Sequence, residues 1–278
     1  MQPVDERTAF SFAGRGSTAI IPALCLFLFA TNLAVSPAGG SSVVAPTIVL
    51  LSALVSSIAG FAFSPIAGAF LFYAMKEPLS VIQILLVASI SQQLYCLWRL
   101  RENIHLRDCF PYLVGSIATL PLGLFLLLRT PASTFLPLLG LLLIFYGAFS
   151  ALKPSLPAGN NPVWGRVTVG ALGGITGGIA AFPAAFVTMW CHIQGFDKHR
   201  ARSIIQPFIL VNQVLSLTAL LLLKPPNVMA LGTLQYAAPA VLGAYLGLMI
   251  FNRVETSTFN RLVGLFLIFA GFSFIKSF

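Results

Sequence analysis

Long apolar runs separated by short polar breaks fill this chain from end to end. Residues 43–75, 79–98, 109–128 and 135–152 form one set of runs, and residues 163–190, 204–223, 234–251 and 259–274 form a second. Most are near the ~20 apolar residues that a membrane-crossing helix needs. Between the sets lies a Pro/Gly/Asn-rich linker, residues 153–161. An earlier apolar run, residues 18–35, follows a polar start with Arg7 and Arg15 and ends in small residues. That pattern fits a signal peptide or a retained first span; its length favours the span. The pattern predicts an all-α, polytopic helical membrane protein. Its units are residues 1–42 (tail and apolar segment), 43–155 (first repeat) and 156–278 (second repeat).

Two of the runs, 43–75 and 163–190, are too long for one ordinary span and carry helix-weakening residues in the middle. The second holds Gly177, Gly178, Phe182 and Pro183; the first holds Gly60, Ser64 and Pro65. Aligned on Gly60 and Gly178, both read Gly-x-Ala-x-x-Pro-x-Ala. Glycine adds backbone entropy to the unfolded chain and proline removes a donor, so both weaken a helix there. Downstream of each shared proline the next run carries an amide pair. Gln92 and Gln93 lie 27 and 28 residues after Pro65; Asn212 and Gln213 lie 29 and 30 after Pro183. Two features at nearly the same offset point to an internal duplication. Paired breaks in corresponding positions of two halves point to a transporter's binding site.

Charge then changes the topology. If each broken run crossed once, nine Lys/Arg would lie on one side and seven on the other. If each dips in and returns, twelve lie on one side, and only Lys76, Arg129, Lys224 and Lys276 on the other. Positive residues concentrate on the cytoplasmic side, so the asymmetric count favours re-entrant segments with the N-terminus in the cytoplasm. Three full spans per half, an odd number, then make the repeats inverted. The same rule explains the net charge of +9 without nucleic acid. With 58% hydrophobic and 8% charged residues, no soluble domain is expected, and the bilayer is the surrounding partner.

The candidate chemistry is polar but uncharged. Seven acidic residues fall in loops or termini, and Lys and Arg are expected at helix ends. Two half-helix N-termini meeting in mid-membrane would present backbone N–H groups to an anion. Ser64 and Thr176 would add hydroxyls, Gly60, Gly177 and Gly178 close backbone approach, and Ser89, Gln92, Gln93, Asn212 and Gln213 neutral dipoles. For each glycine the competing explanation is close helix packing, and for each amide inter-helix bonding. Such a site favours a small anionic substrate. The cysteines, Cys25, Cys96, Cys109 and Cys191, show no metal spacing, so neither metal nor cofactor is expected. His192 and Asp197 match a His-x4-Asp acyltransferase spacing; a membrane-embedded enzyme is the weaker alternative, and no enzyme is expected.

The glycine-rich stretch Gly170, Gly173, Gly174, Gly177 and Gly178 with Pro183, the pair Gly60 and Pro65, and the basic loop 195–203 resemble the TauE/SafE sulfite exporter family of bacterial membrane permeases. The resemblance covers residues 43–278 and implies export of sulfite, an organosulfonate or another small organic anion across the cell inner membrane. Import of a related acid, and assembly of the chain with itself, stay open. The sequence departs from the family in Phe61, Phe63, Ile179 and Phe182, bulky residues near the breaks.

Overall fold

The structure is a computed structural model describing residues 25–26, 41–60, 62–75, 77–101, 106–152, 161–223, 231–251 and 256–276. The N-terminal span expected over 18–35 lies almost wholly outside the described residues. Among the described residues from 41 on, the α-helices are α1 Ser41–Ala59, α2 Phe63–Ala74, α3 Pro78–Leu100, α4 Leu106–Arg129, α5 Ala132–Leu152, α6 Val163–Ala180, α7 Ala184–Ile193, α8 Lys198–Leu223, α9 Ala237–Phe251 and α10 Thr256–Lys276. A 3-10 turn, Leu231–Tyr236, leads into α9. Among the described residues there is no strand. Among the described residues five stretches are long and apolar enough to cross a membrane, namely α3, α4, α5, α8 and Gly232–Phe251. Large apolar residues such as Leu51, Phe110, Ile117, Phe125, Leu141, Leu222 and Phe269 stay exposed, as the lipid-facing side of such helices requires. The chain is a multi-pass membrane protein.

Both long runs are broken, as their sequences predict. The first breaks at Gly60 (φ +89°) and Ala62 (φ +77°), and the second at Ala181 (φ +51°). The breaks sit differently in the shared motif. Pro183 is the residue just before α7, whereas Pro65 lies inside the first turn of α2. Gly60 is in the turn itself, but Gly178 is still helical. The left-handed residues, not the prolines, fix where each helix stops, so the glycine alignment is offset by about one helical turn.

In the second half the broken segment doubles back. Trp190 Nε1 donates to Asn161 Oδ1 at 3.1 Å, tying the end of α7 to the start of α6. Gly165 lies under the Trp190 ring, and Gly173 beside the Pro183 carbonyl. These pairs run in opposite directions along the chain, which makes α6 and α7 a helical hairpin.

Packing across the halves is reciprocal. α4 packs on α6 and α1 on α9; α3 packs on α9 and α4 on α8; α2 touches α10 and α5 touches α7; α3 meets α8 and α5 meets α10. Close approach needs glycine. A Cβ at Gly174 would sit 2.3 Å from the Ser116 carbonyl oxygen, and one at Gly243 2.2 Å from that of Leu50. Gly170 faces Tyr112 and Gly178 faces Leu120, so α4 and α6 run parallel. Gly243 faces Leu50 and Gly247 faces Leu54, so α1 and α9 do too. Small residues let helix backbones touch in lipid, where apolar burial between helices adds little.

Candidate functional site

The two breaks meet at one small cavity. Its walls are Ser64 and Pro65 from the start of α2, Ala180 and Phe182 from the second break, and Gly68, Phe72, Leu139 and Leu143 around them. Its volume is about 10 Å³, room for about one water molecule. Phe182 packs edge-on to Tyr146 with ring centroids 5.1 Å apart. Neither α2 nor α7 has a side-chain cap at its N-terminus. The first N–H groups of both half-helices therefore keep their partial positive charge near the breaks.

The amide pairs take matching places. Gln92 Nε2 donates to Ser56 Oγ at 3.0 Å and Ser57 Oγ at 3.1 Å, in the last turn of α1. Asn212 sits beside the last turn of α6, its Oδ1 3.6 Å from where a Gly177 Cβ would be. Ser116 of α4 donates to that Oδ1, and Asn212 Nδ2 donates to the Phe208 carbonyl at 2.8 Å. Gln92 and Asn212 thus each lie against the end of the helix that precedes a break, α1 and α6. Polar atoms in this layer lack hydrogen-bond partners although buried: Ser89 Oγ, Gln92 Oε1 and Gln93 Oε1 on α3, Gln213 Oε1 and Ser216 Oγ on α8. A row of such atoms is expensive in a packed helix core and fits a path for a polar ligand.

Not every candidate joins the cavity. Thr176 Oγ1 bonds back to the Leu172 carbonyl at 3.1 Å, so its hydroxyl serves its own helix. Gly178 packs on Leu120 and Leu124 of α4, and Gly177 against Pro183, both as close helix contacts. Gln92, Gln93, Asn212 and Gln213 do not line the cavity.

The lining of the cavity carries no charge, but Arg202, which the sequence places in the basic loop 195–203, is buried beside the first break. Asp197 Oδ1 accepts the His199 and Arg200 N–H groups at 2.8 and 3.0 Å, which starts α8 at Lys198 rather than at Ile204. Arg202 therefore enters the helix core and is only 7% exposed. Its Nη2 donates to the carbonyls of Ser57 and Ile58 at 2.7 and 3.1 Å, and its guanidinium lies 3.8 Å over the Phe251 ring. A Cβ at Gly60 would be 2.7 Å from Arg202 Nε. In the sequence this residue reads as the last charge of a basic loop; only the Asp197 cap reveals that it belongs to the helix.

The His192/Asp197 alternative finds no support in this geometry. Asp197 is a helix cap, and the backbone N–H groups of Arg200 and His199 hold its carboxyl below the usual range. His192 is exposed and edge-on to Phe149 at 5.8 Å. Among the described residues no group of three His, Cys, Asp or Glu is placed to hold a metal.

A profile of the family described as sulfite exporter TauE/SafE matches residues 44–274. The chain belongs to the TauE/SafE sulfite exporter family. That match spans both broken segments, both amide pairs and Arg202. No curated protein and no solved structure matches significantly.

Proposed function

We propose that this TauE/SafE protein exports a small anion, sulfite or an organosulfonate, by alternating access at a site between two re-entrant tips. The observation that carries this reading is the small cavity shared by Ser64 and Pro65 of one half and Phe182 of the other. Uncapped half-helix N-termini favour negative charge there, and the unpartnered Ser89 and Ser216 hydroxyls of α3 and α8 add buried donors.

Helix directions support the re-entrant, inverted arrangement. α6 runs parallel to α4, and the hairpin brings α7 back to the side where α6 began. The reciprocal helix pairs agree with two repeats of opposite orientation. The basic residues Arg99, Arg101, Lys153 and Lys198 then share one side, the cytoplasmic one by charge, in the inner membrane. Leaving out Arg202, which is buried, the count is still eleven against four. An inside-negative potential assists export by about 2.3 kcal/mol per charge per 100 mV. With no carboxylate in the described layer, movement driven by potential needs no coupled proton.

The test is ligand-dependent melting of the purified protein against sulfite, sulfoacetate, taurine, thiosulfate and carboxylate analogues, since a ligand bound to the native state raises its melting temperature. Stabilisation by sulfite or a sulfonate is expected. Stabilisation by cations or neutral solutes alone would sink the anion reading.

A further inference from the structure

Arg202 is out of place in the duplicated scaffold. Counting back ten residues from the first amide of each pair gives Arg202 in α8 and Ile82 in α3, and Ile82 is buried and apolar. The guanidinium is therefore an addition on one side of the design. The second break also shows that such a turn folds without a cation. There the carbonyls of Gly177 and Thr176 are satisfied by the N–H groups of Ala181 and Phe182, at 3.0 and 3.3 Å. At the first break Gly60 N–H reaches Ser56, and Arg202 takes the next two carbonyls.

Those contacts occupy only part of the guanidinium. Nη2 holds the α1 terminus, Phe251 covers one face, and Gly60 leaves room beside Nε. Nη1 is buried and has no hydrogen-bond partner. No carboxylate among the described residues pairs with Arg202: Glu77 accepts from Ser80, and Asp197 caps α8. A buried cation facing only neutral dipoles lacks a counter-charge, which an anionic ligand would supply.

We propose that Arg202 is the anion-recognition residue of this permease, its unpartnered Nη1 binding one oxygen of a small sulfur oxyanion of the sulfite or sulfonate class. This rests on the anion-permease reading and deepens it. The Ser57 and Ile58 carbonyls and the Phe251 ring hold the guanidinium plane fixed, so the free N–H points in a defined direction. Gly60 lets the backbone of the first break pass within contact of it. Ser64, one turn further on, lines the cavity between the breaks. The anion is thus met by a positive charge at the first break and by half-helix dipoles beyond it. Arginine suits an oxyanion because its planar fork stays charged and keeps its geometry, which a lysine ammonium does not.

The experiment uses the full chain in lipid nanodiscs at constant ionic strength. Binding and melting are measured with sodium sulfite, with methanesulfonate and with uncharged dimethyl sulfone, for the wild type, Arg202→Lys and Arg202→Gln. The wild type is expected to bind both anions and to ignore the sulfone. Arg202→Lys keeps the charge; it is expected to fold and to weaken anion binding about tenfold or more, the range of a charge-assisted hydrogen bond. Arg202→Gln is expected to lose the preference for anion over sulfone; where it does not fold, the lysine variant decides. Variants with lower ligand-free melting temperature but unchanged sulfite affinity would overturn the proposal and leave the permease reading intact, with Arg202 only a cap for α1. A wild type that binds neither anion would overturn both.

Discussion

Gly60 and Gly195 both have left-handed backbones, at φ +89° and +67°, but in different surroundings. A methyl at 60 would collide with Arg202, whereas nothing lies within 4 Å of one at 195. Gly60→Ala is therefore expected to destabilise by about 1–3 kcal/mol, from strain plus displacement of the guanidinium. Gly195→Ala should cost about 1 kcal/mol, from backbone strain alone. Paired thermal melts give the comparison. Asn212→Ala removes the acceptor of the Ser116 hydroxyl inside the core and should lower stability by about 1–3 kcal/mol. Asp197→Ala should cost about 1 kcal/mol as a lost helix cap. It should also remove an acid dependence. The folded carboxyl titrates below its ordinary 3.8, so its contribution is full above that value and is lost as pH falls through the lower, folded one. A melting series from pH 7 to pH 3 should therefore show a shallower fall for the variant than for the wild type.

Among the helices, the contacts that decide assembly are backbone to backbone. Gly174 on α6 and Gly243 on α9 each bring their backbone against a carbonyl of the neighbouring helix, in the parallel pairs α4–α6 and α1–α9. Leucine at either would push carbonyls apart by more than a side chain can yield, a loss of at least 1–3 kcal/mol on the scale of overpacked cores. Both variants should show the same drop in monodisperse yield by size-exclusion chromatography; an effect at only one would argue against equivalent roles. The helices themselves were readable from apolar runs, because lipid demands about twenty such residues whatever the packing. Both breaks were readable from Gly60, Pro65, Gly178 and Pro183, and the amide pairs from their repeated offset. Register was not, since the turns are made by Ala62 and Ala181, whose identity carries no turn signal. Arg202 was hidden for a related reason. A basic loop and the first turn of a helix look alike in sequence, and only the Asp197 cap with the Ser57 and Ile58 carbonyls tells them apart.

At the scale of the molecule, two broken helices from two halves reach one cavity, and the buried guanidinium of Arg202 makes the halves unequal. Single-cysteine labelling from one side of the membrane tests the topology. With native cysteines removed, cysteines at Arg101 and Gln194 should label from the same side and one at Thr130 from the other. A segment α6–α7 that crossed the bilayer would instead put 194 with 130. Transport itself is tested most directly by sulfite efflux from proteoliposomes holding the purified chain, with and without an imposed inside-negative potential. Saturable efflux that the potential accelerates is predicted. Efflux no faster than from protein-free vesicles, or indifferent to the potential, would contradict the account.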